Sequence, residues 1–272
     1  MLELNETVSV ITGGASGIGF GLARAIGNAG GQVLLAEPDQ SRLEAACETL
    51  AQDGINASWA VCDVREQISV ERLAETAFAG GLPVAILVNN AGVSTPRARV
   101  QDKDMAEVRA LFDVNFFGVW HGCAAFAPRL IEQGRPAAIY NVSSENAFFP
   151  AVKRSAAYIA SKHAVVGLTE SFREDVPDFI AVGAIYPGFV QSEMTAGPLS
   201  ERGMTADEFG EKILTQMRVG EPVAVAHPYN IVHVQERFDV VKRAHETYAP
   251  RHAGDDTMDI RLIIERLRAE KG

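Results

Sequence analysis

Three side chains in one stretch of the chain have types and spacing suited to proton transfer: Tyr158, Lys162 four residues later, and Ser143 fifteen residues earlier. If Tyr158 opens a helix, Lys162 lies one turn further along the same face. A phenol loses its proton only near pH ~10, and a nearby ammonium lowers that pKa. Such a tyrosine can take a proton from an alcohol or give one to a ketone, while the serine hydroxyl holds the substrate oxygen. A plain helix start with an exposed tyrosine and a surface lysine has the same spacing, so the surrounding elements must distinguish the two.

A glycine-rich turn between a strand and a helix predicts a nucleotide site. The strand is predicted over 8–12, the sequence TGGASGIG follows from Thr12 to Gly19, and a helix then continues to about Ala29. Such a turn exposes backbone N–H groups at a helix N-terminus, where they can bind a pyrophosphate. The alternative is a tight turn that needs glycine only for its dihedral angles. The strand before it and the helix after it favour nucleotide binding.

An acidic residue at the end of the second predicted strand indicates which dinucleotide binds. Glu37 lies 18 residues after Gly19, close to the position where a carboxylate bonds the adenosine ribose hydroxyls. A carboxylate there repels a 2′-phosphate, and no Arg or Lys lies between Gly13 and Gly19 to bind that phosphate. The sequence therefore favours NAD over NADP as the cofactor. A solvated acid at a strand end is the alternative for Glu37.

Strands and helices alternate along most of the chain. Further strands are predicted over 32–36, 57–61, 84–88, 137–142 and 180–186, with a seventh over 222–226. This alternation predicts an α/β fold: one Rossmann-like, doubly wound parallel sheet of about seven strands with helices on both faces. Ligands of such sheets bind at the carboxyl ends of the strands, where the polar residues singled out above are placed.

The predicted organisation is a single domain over 1–272. Its core covers 5–195, a short substrate loop, a helix and the last strand cover 196–228, and a C-terminal helical extension covers 229–272. One core helix is predicted to begin at Asp104 and run towards Pro128, with Asn115 at mid-length. Asparagine is a poor residue inside a helix because its side chain competes for backbone groups.

Composition excludes several classes of function. The 272 residues carry a net charge of −10, which argues against nucleic acid or an anionic membrane as a partner. The three cysteines are scattered without C-x-x-C spacing, and the start of the chain lacks the basic flank of a signal peptide. We therefore expect a cytoplasmic protein without a disulfide framework. The six histidines show no spacing typical of a metal site, so no metal is expected.

Seven sequence features together resemble the short-chain dehydrogenase/reductase family over roughly residues 5–195. They are Thr12-Gly13-x-x-x-Gly17-x-Gly19, Asp63, Asn89-Asn90-Ala91-Gly92, Asn115, Ser143, Tyr158-x-x-x-Lys162 and Pro187-Gly188. Each is modest alone, and their common order at predicted strand ends makes the resemblance specific. It implies an NAD(P)-dependent oxidoreductase that acts on a small molecule, commonly as a homodimer or homotetramer.

The resemblance also implies a role for each matching residue. Tyr158 would be the general acid/base, Lys162 would lower its pKa and bond the nicotinamide ribose, and Ser143 would orient the substrate oxygen. Asn115 would hold a water that leads protons to solvent. Asp63 would contact adenine, and Ser192 would bond the carboxamide at a position where threonine is usual. The full predicted cofactor set is Gly13, Ser16, Gly17, Ile18, Gly19, Glu37, Asp63, Val64, Asn89, Ala91, Gly92, Tyr158, Lys162, Pro187, Gly188, Val190 and Ser192.

The C-terminal third departs from the family pattern. Many members carry a long helical lid after the Pro-Gly pair and end in a glycine-rich strand, whereas here the segment 194–203 is short and leads into the sequence AHPYN. This pattern is similar to bacterial dehydrogenases of bulky ketones and aryl Cα-alcohols. It predicts an open cleft and a hydrophobic or aromatic secondary alcohol as substrate. The predicted substrate pocket comprises Val93, Glu145, Phe148, Phe149, Phe189, Met194 and Leu199.

Two other functions remain open from the sequence. The chain could be an NADPH-linked ketoreductase, which a strong preference for NADPH would establish. It could also be a nucleotide-binding redox sensor without catalysis, although such proteins tend to lose the tyrosine or the lysine.

Overall fold

Seven strands form one parallel sheet within residues 1–270, the part of the chain that the computed structural model describes. Their order is β3-β2-β1-β4-β5-β6-β7. The strands are β1 (Val8–Thr12), β2 (Gln32–Glu37), β3 (Ala57–Val61), β4 (Val84–Asn89), β5 (Ala137–Val142), β6 (Ile180–Tyr186) and β7 (Val223–Val225). This arrangement confirms the predicted doubly wound fold. The strand order reverses between β1 and β4, so a crevice for ligands opens at the carboxyl ends there.

Nine α-helices accompany the sheet in the described part of the chain. They are α1 (Gly17–Asn28), α2 (Gln40–Gln52), α3 (Gln67–Ala79), α4 (Met105–Phe112), α5 (Gly118–Gln133), α6 (Ala156–Arg173), α7 (Ala206–Val219), α8 (Ile231–Tyr248) and α9 (Ile260–Ala269). Thr205 caps α7, because its hydroxyl accepts a hydrogen bond from the backbone N–H of Glu208 at 3.2 Å.

The helix predicted to run from Asp104 towards Pro128 differs from the observed one. The observed segment has three parts: α4, a π-helical turn at Asp113–Phe117, and α5. The helix α5 passes through Pro128 and ends at Gln133. Pro128 lacks an N–H and so removes one hydrogen bond from α5. Burial of the α5 face that carries Phe126 and Leu130 offsets that loss.

Alternate residues of each strand build a separate core on each face of the sheet. Ile11 and Leu35 pack in the core that includes Leu22 of α1 and Phe209 of α7. Their neighbours Val10 and Leu34 belong to the opposite core, which contains residues of α3, α5 and α6. The strands are therefore buried on both faces, which explains their almost continuous apolar sequence.

The described residues divide into a unit that ends at Asn230 and a smaller unit that begins at Ile231. The smaller unit consists of α8, α9 and a short 3₁₀ turn at Asp255–Met258 between them. A single domain over 1–272 therefore stays a prediction. Among residues 1–270, we find no helix with the length and apolar character needed to cross a lipid bilayer.

Candidate active site

A cleft of ≈ 700 Å³ opens at the carboxyl ends of the strands, where the sheet order reverses. Its volume lies in the usual range for cofactor and small-molecule sites. Most of the predicted cofactor residues line it: Gly13, Ser16, Gly17, Ile18, Glu37, Asp63, Val64, Ala91, Gly92, Tyr158, Lys162, Pro187, Gly188, Val190 and Ser192. Of the predicted cofactor set, Gly19 and Asn89 are not among the lining residues.

The glycine turn between β1 and α1 has the backbone that a dinucleotide site requires. Gly13 and Gly17 adopt φ angles of +62° and +51°, in the left-handed region that favours glycine. Gly19 lies behind this turn, and a Cβ on it would lie 2.3 Å from the carbonyl oxygen of Gly13. Glycine at these positions keeps the turn tight and leaves the N-terminus of α1 accessible from the cleft, which fits a pyrophosphate.

A cation missed by the sequence prediction lies beside Glu37 in the same cleft. Arg42, on the first turn of α2, donates from Nη2 to Ser16 Oγ at 2.9 Å and pairs with Glu193 at 2.9 Å. Burial raises the pKa of the Glu37 carboxyl, and the Arg42 guanidinium partly opposes that shift. The glycine turn itself contains no cation, but the fold brings α2 with Arg42 against it. The sequence signal that could have indicated this cation is a basic residue five positions after the strand-end acid.

The polar residues that follow β3 and β4 separate into two groups. Asp63 lies in the cleft, and its carboxylate accepts from Arg65 Nε at 3.0 Å, which lowers its pKa. Asn90 also lines the cleft and donates to the carbonyl oxygens of Thr12 at 2.9 Å and Gly13 at 3.0 Å, which fixes the glycine turn. Asn89 instead points into the interior, where it donates to Asn141 at 2.8 Å. Asn89 therefore joins β4 to β5 and contributes to the sheet.

The π-helical turn gives Asn115 its position. Its Oδ1 accepts from the Val93 N–H at 2.8 Å, while Nδ2 donates to the Val93 carbonyl at 3.0 Å and to Ser161 Oγ at 3.2 Å. Asn115 is completely buried. It thereby fixes the segment after β4, which lines the cleft, to the helix that carries Tyr158 and Lys162. π-turns inside α-helices occur frequently at functional sites.

Tyr158 and Lys162 lie together on α6 and face the cleft, as the spacing predicted. Lys162 Nζ lies 5.7 Å from the centroid of the Tyr158 ring and donates to the Val142 carbonyl at 2.8 Å. Burial lowers the pKa of Lys162 to about 8. Burial raises the pKa of Tyr158; a hydrogen bond with Ser144 acts in the opposite direction, and the nearby Glu145 adds to the rise. The structure thus gives the opposite direction to the lowered Tyr158 pKa expected from the family resemblance.

The two serines at the end of β5 differ in their contacts. Ser143 lines the cleft but is buried, and its hydroxyl donates to the carbonyl oxygen of Lys162 at 2.8 Å, which ties the end of β5 to α6. The Ser144 hydroxyl accepts from the Asn146 N–H and Nδ2, both at 3.2 Å, and it lies near enough to the Tyr158 phenol to lower its pKa. The role that the family resemblance implies for Ser143 stays a prediction, and the contacts make Ser144 a second candidate for it. Successive residues of a strand point to opposite faces, so a shift of one residue decides which hydroxyl meets the tyrosine.

Ser192 lies in the cleft within a short capped turn. Its N–H donates to Thr195 Oγ1 at 3.0 Å, and Thr195 Oγ1 donates to the Val190 carbonyl at 2.7 Å. The Ser192 Cβ lies 3.1 Å from where a Cβ on Gly17 would be, so this turn closes against the glycine turn. Thr195, which the sequence analysis missed, also lines the cleft.

The predicted substrate pocket is only partly brought together. Val93 and Met194 line the cleft, whereas Glu145, Phe148, Phe149, Phe189 and Leu199 are not among its lining residues. Phe148 instead stacks on Tyr186 with 4.2 Å between ring centroids, which places it in the core beside β6. Besides Arg42 and Thr195, the lining residues that the sequence did not indicate are Ala36, Pro38, Cys62, Arg65, Ser94, Val114, Val142, Ser144 and Glu193.

Comparison with known proteins agrees with this fold. The family model for short chain dehydrogenases matches residues 7–202, so the chain belongs to the short-chain dehydrogenase/reductase family of oxidoreductases. A 1-deoxy-11-beta-hydroxypentalenate dehydrogenase from Streptomyces avermitilis is 34% identical over 208 residues, covering 76% of this chain and 77% of that protein. A C alpha-dehydrogenase from a Sphingobium species is 32% identical over 196 residues, covering 71% and 64%.

Solved structures show the same fold. A short chain dehydrogenase/reductase from Burkholderia phymatum, in complex with NAD, has a TM-score of 0.82 and 25% identity, covering 93% of this chain and 99% of that one. The apo form of LigO from Sphingobium has a TM-score of 0.84 and 26% identity, covering 98% of both chains. The likeness to LigO and to the C alpha-dehydrogenase accords with the subgroup resemblance predicted from the sequence.

Proposed function

We propose that this protein interconverts a secondary alcohol and its ketone with NAD as the cofactor. The observation that carries the proposal is the meeting of three groups in one cleft. The Tyr158 phenol lies beside Ser144, Lys162 lies one turn away, and the glycine turn before α1 faces the same space. Proton transfer and dinucleotide binding can therefore occur side by side.

Tyr158 moves the proton in this proposal. When bound, the nicotinamide supplies the two-electron redox chemistry, and the protein positions it. The Ser144 hydroxyl and the Tyr158 phenol hold the substrate oxygen between them. Because the pKa of Tyr158 is raised, the phenol is protonated at neutral pH and is ready to donate its proton to a ketone oxygen. Alcohol oxidation requires the phenol to accept a proton, so its rate should rise with pH.

Several residues would hold the cofactor. The backbone at Gly13, Ser16 and Gly17 would bind the pyrophosphate, and Glu37 would bond the adenosine ribose. Asp63 would meet the adenine, and Lys162 the nicotinamide ribose. Val190 and Ser192 would bind the carboxamide. Asn115, with its three hydrogen bonds, would keep the proton path beside Lys162 in place.

NADP remains the alternative cofactor because of Arg42. Its ion pair with Glu193 is partly exposed, and exposed pairs contribute only about 0–1 kcal/mol, so the guanidinium can turn towards a 2′-phosphate. The carboxylate of Glu37 opposes that binding, and we therefore propose NAD as the preferred cofactor. The ratio of kcat/KM for NAD and NADP decides between them, and a preference of more than about tenfold for NADP would contradict the role of Glu37.

We propose a bulky, hydrophobic or aromatic secondary alcohol as the substrate. Val93, Val114 and Met194 give the cleft an apolar wall, and Val93 and Met194 remain 41% and 47% exposed. The known dehydrogenases that resemble this chain act, by their names, on a hydroxypentalenate and at a Cα position.

A panel of aryl and alicyclic secondary alcohols, and of their ketones, tests the proposed function. The absorbance of NADH reports turnover in both directions with the purified protein. Turnover of at least one bulky pair supports the proposal. Normal NADH binding without turnover on any pair would instead favour the redox sensor.

A cytoplasmic location and assembly into a homodimer or homotetramer also belong to the proposal. The location rests on the free thiols of Cys47, Cys62 and Cys123. The assembly rests on an aromatic surface on the π-turn and α5, where Phe117 and Trp120 are 46% and 50% exposed. Exposed aromatic side chains on neighbouring turns are typical of subunit contacts.

A further inference from the structure

The chain after β7 returns to the active site through four residues, His227 to Asn230, which the mechanism above does not use. His227 and Asn230 are 7% and 8% exposed, so both are buried polar side chains. Buried polar groups are costly unless their hydrogen bonds are satisfied. Their partners therefore show what this segment holds in place.

His227 bonds the turn after β6 at two points. Its Nδ1 lies 3.1 Å from the Gly188 nitrogen, and its Nε2 lies 3.3 Å from the Phe189 carbonyl oxygen. The Gly188 N–H can only donate, so Nδ1 must be unprotonated and Nε2 must carry the hydrogen. The contacts therefore require one neutral tautomer of the imidazole. Gly188 and the preceding Pro187 line the cofactor cleft directly.

Asn230 bonds the second loop of the site. Its Nδ2 donates to Glu145 Oε2 at 2.6 Å, and the Glu145 N–H donates to the Pro187 carbonyl at 2.9 Å. Glu145 directly follows Ser144, and both residues act on the pKa of Tyr158. Burial raises the pKa of the Tyr229 phenol, and the nearby backbone N–H of Phe189 opposes that rise.

Gly188 is the point where these contacts converge. A Cβ on it would lie 2.7 Å from His227 Cγ and 2.7 Å from Glu145 Oε2. The imidazole and the carboxylate thus pack directly against the backbone of the turn. Movement of either would move Gly188, and with it the wall of the cleft.

We propose that His227 and Asn230 are positioning residues that fix the loops after β5 and β6 in their active geometry, and that His227 acts in its neutral form. The inference rests on the proposed function only in assigning these loops to cofactor and substrate. Protonation of Nδ1 replaces the acceptor with a second donor that faces the Gly188 N–H. The turn after β6 then loses the hydrogen bond between the Gly188 N–H and His227.

The charged and titratable groups around His227 set the pH range of this release. Glu208 and Lys212 of α7 act on it with opposite sign, Tyr229 lies 5.5 Å away between ring centroids, and Glu145 faces the same glycine. Burial is the largest influence and lowers the pKa of His227 below its usual value near 6.5. The neutral contact is therefore complete above pH ~6.5 and is lost as the pH falls through the lower folded pKa.

The test compares His227→Ala, His227→Asn and Asn230→Ala with His233→Gln, an exposed histidine on α8 that serves as the control. Amide hydrogen exchange at Gly188, corrected for the intrinsic rate and followed by NMR, is the direct readout. We expect His227→Ala to speed this exchange about tenfold or more, since a hydrogen bond is lost. His227→Asn retains an acceptor near the Nδ1 position and should restore much of the protection. The parent should lose protection towards acid, and His227→Asn should not.

A second readout is the dissociation constant of NADH together with kcat and KM. We expect His227→Ala and Asn230→Ala to weaken NADH about tenfold, with thermal unfolding used to confirm that each variant is folded. Unchanged Gly188 exchange in folded His227→Ala, or the same acid dependence in the parent and His227→Asn, would overturn the inference. If the parent shows no turnover, only the proposed function is contradicted. Amide exchange at Gly188 still tests the positioning role of His227 and Asn230.

Discussion

At the scale of single residues, the candidate site depends on which hydroxyl groups face the cleft. Ser143 donates to the Lys162 carbonyl at 2.8 Å, while Ser144 lies near the Tyr158 phenol and lowers its pKa. The two serines are adjacent in the chain, so their positions in the sequence do not distinguish them. Their different partners allow substitution to separate their roles.

The serine pair provides the first prediction. We expect Ser144→Ala to lower kcat by about 10²-fold or more, because the substrate oxygen and Tyr158 lose a shared hydrogen bond. Ser143→Ala should leave kcat within a few fold and instead lower the free energy of unfolding by about 1 kcal/mol. Steady-state kinetics and urea unfolding of both variants measure these effects. Greater loss of kcat in Ser143→Ala would return the role to Ser143.

The buried ammonium of Lys162 provides the second prediction, through pH. Its pKa is lowered to about 8, whereas the unfolded value is about 10.4. Between these values the unfolded chain binds a proton that the folded chain does not, so this residue makes stability rise with pH. Relative to Lys162→Met, the parent should gain about 2–3 kcal/mol of unfolding free energy across that range. A constant difference between the two proteins would show that Lys162 is not desolvated in this way.

At the scale of elements, the interruption of a helix matters most. The π-turn at Asp113–Phe117 turns Asn115 inward to the Val93 backbone and Ser161. An ordinary α-helix from Met105 to Gln133 would carry one residue fewer in that turn and direct the amide elsewhere. The irregularity thus joins β4, α5 and α6 at the cleft.

Removal of the Asn115 amide should show its structural value. We expect Asn115→Ala to lower the free energy of unfolding by about 1–3 kcal/mol, because the N–H and C=O of Val93 lose their fully buried partner. Urea unfolding measures the change, with the exposed Asn56→Ala as a matched control. An equal, small effect of both substitutions would mean that the π-turn does not depend on this side chain.

The sequence predicted the repeating elements well and their irregularities poorly. β1, β3, β5 and β6 coincide with the predicted ranges because apolar runs bounded by polar residues define buried strands. The π-turn, the one-residue choice between Ser143 and Ser144, and the approach of Arg42 to Ser16 arise from tertiary packing. Local spacing carries no direct signal for such contacts. The role of His227 was missed because its partners lie 38 and 39 residues earlier in the chain.

At the scale of the whole molecule, the exposed aromatic surface on the π-turn and α5 suggests assembly into an oligomer. Phe117 and Trp120 lie on neighbouring turns, and Phe116 contacts both at 5.2 and 6.1 Å between ring centroids. Such a surface buries apolar area when a second copy covers it.

Introduction of a negative charge on this surface tests the assembly. We expect the parent to sediment as a dimer or tetramer, and Trp120→Glu to shift it towards monomers, since a carboxylate would lose its water on burial. Analytical ultracentrifugation at several concentrations measures the distribution, with Trp59→Glu on the edge strand β3 as the control. A monomeric parent, or an oligomer that withstands Trp120→Glu, would contradict the proposed contact.

The central claim is that Tyr158 transfers the proton in an NAD-linked oxidation and reduction. Tyr158→Phe removes the hydroxyl and keeps the ring, so its effect on NADH-monitored turnover of a substrate pair tests the claim most directly. We expect kcat to fall by about 10²–10⁴-fold while the dissociation constant of NADH stays within a few fold of the parent value. Turnover that survives in Tyr158→Phe at close to the parent rate would contradict the account.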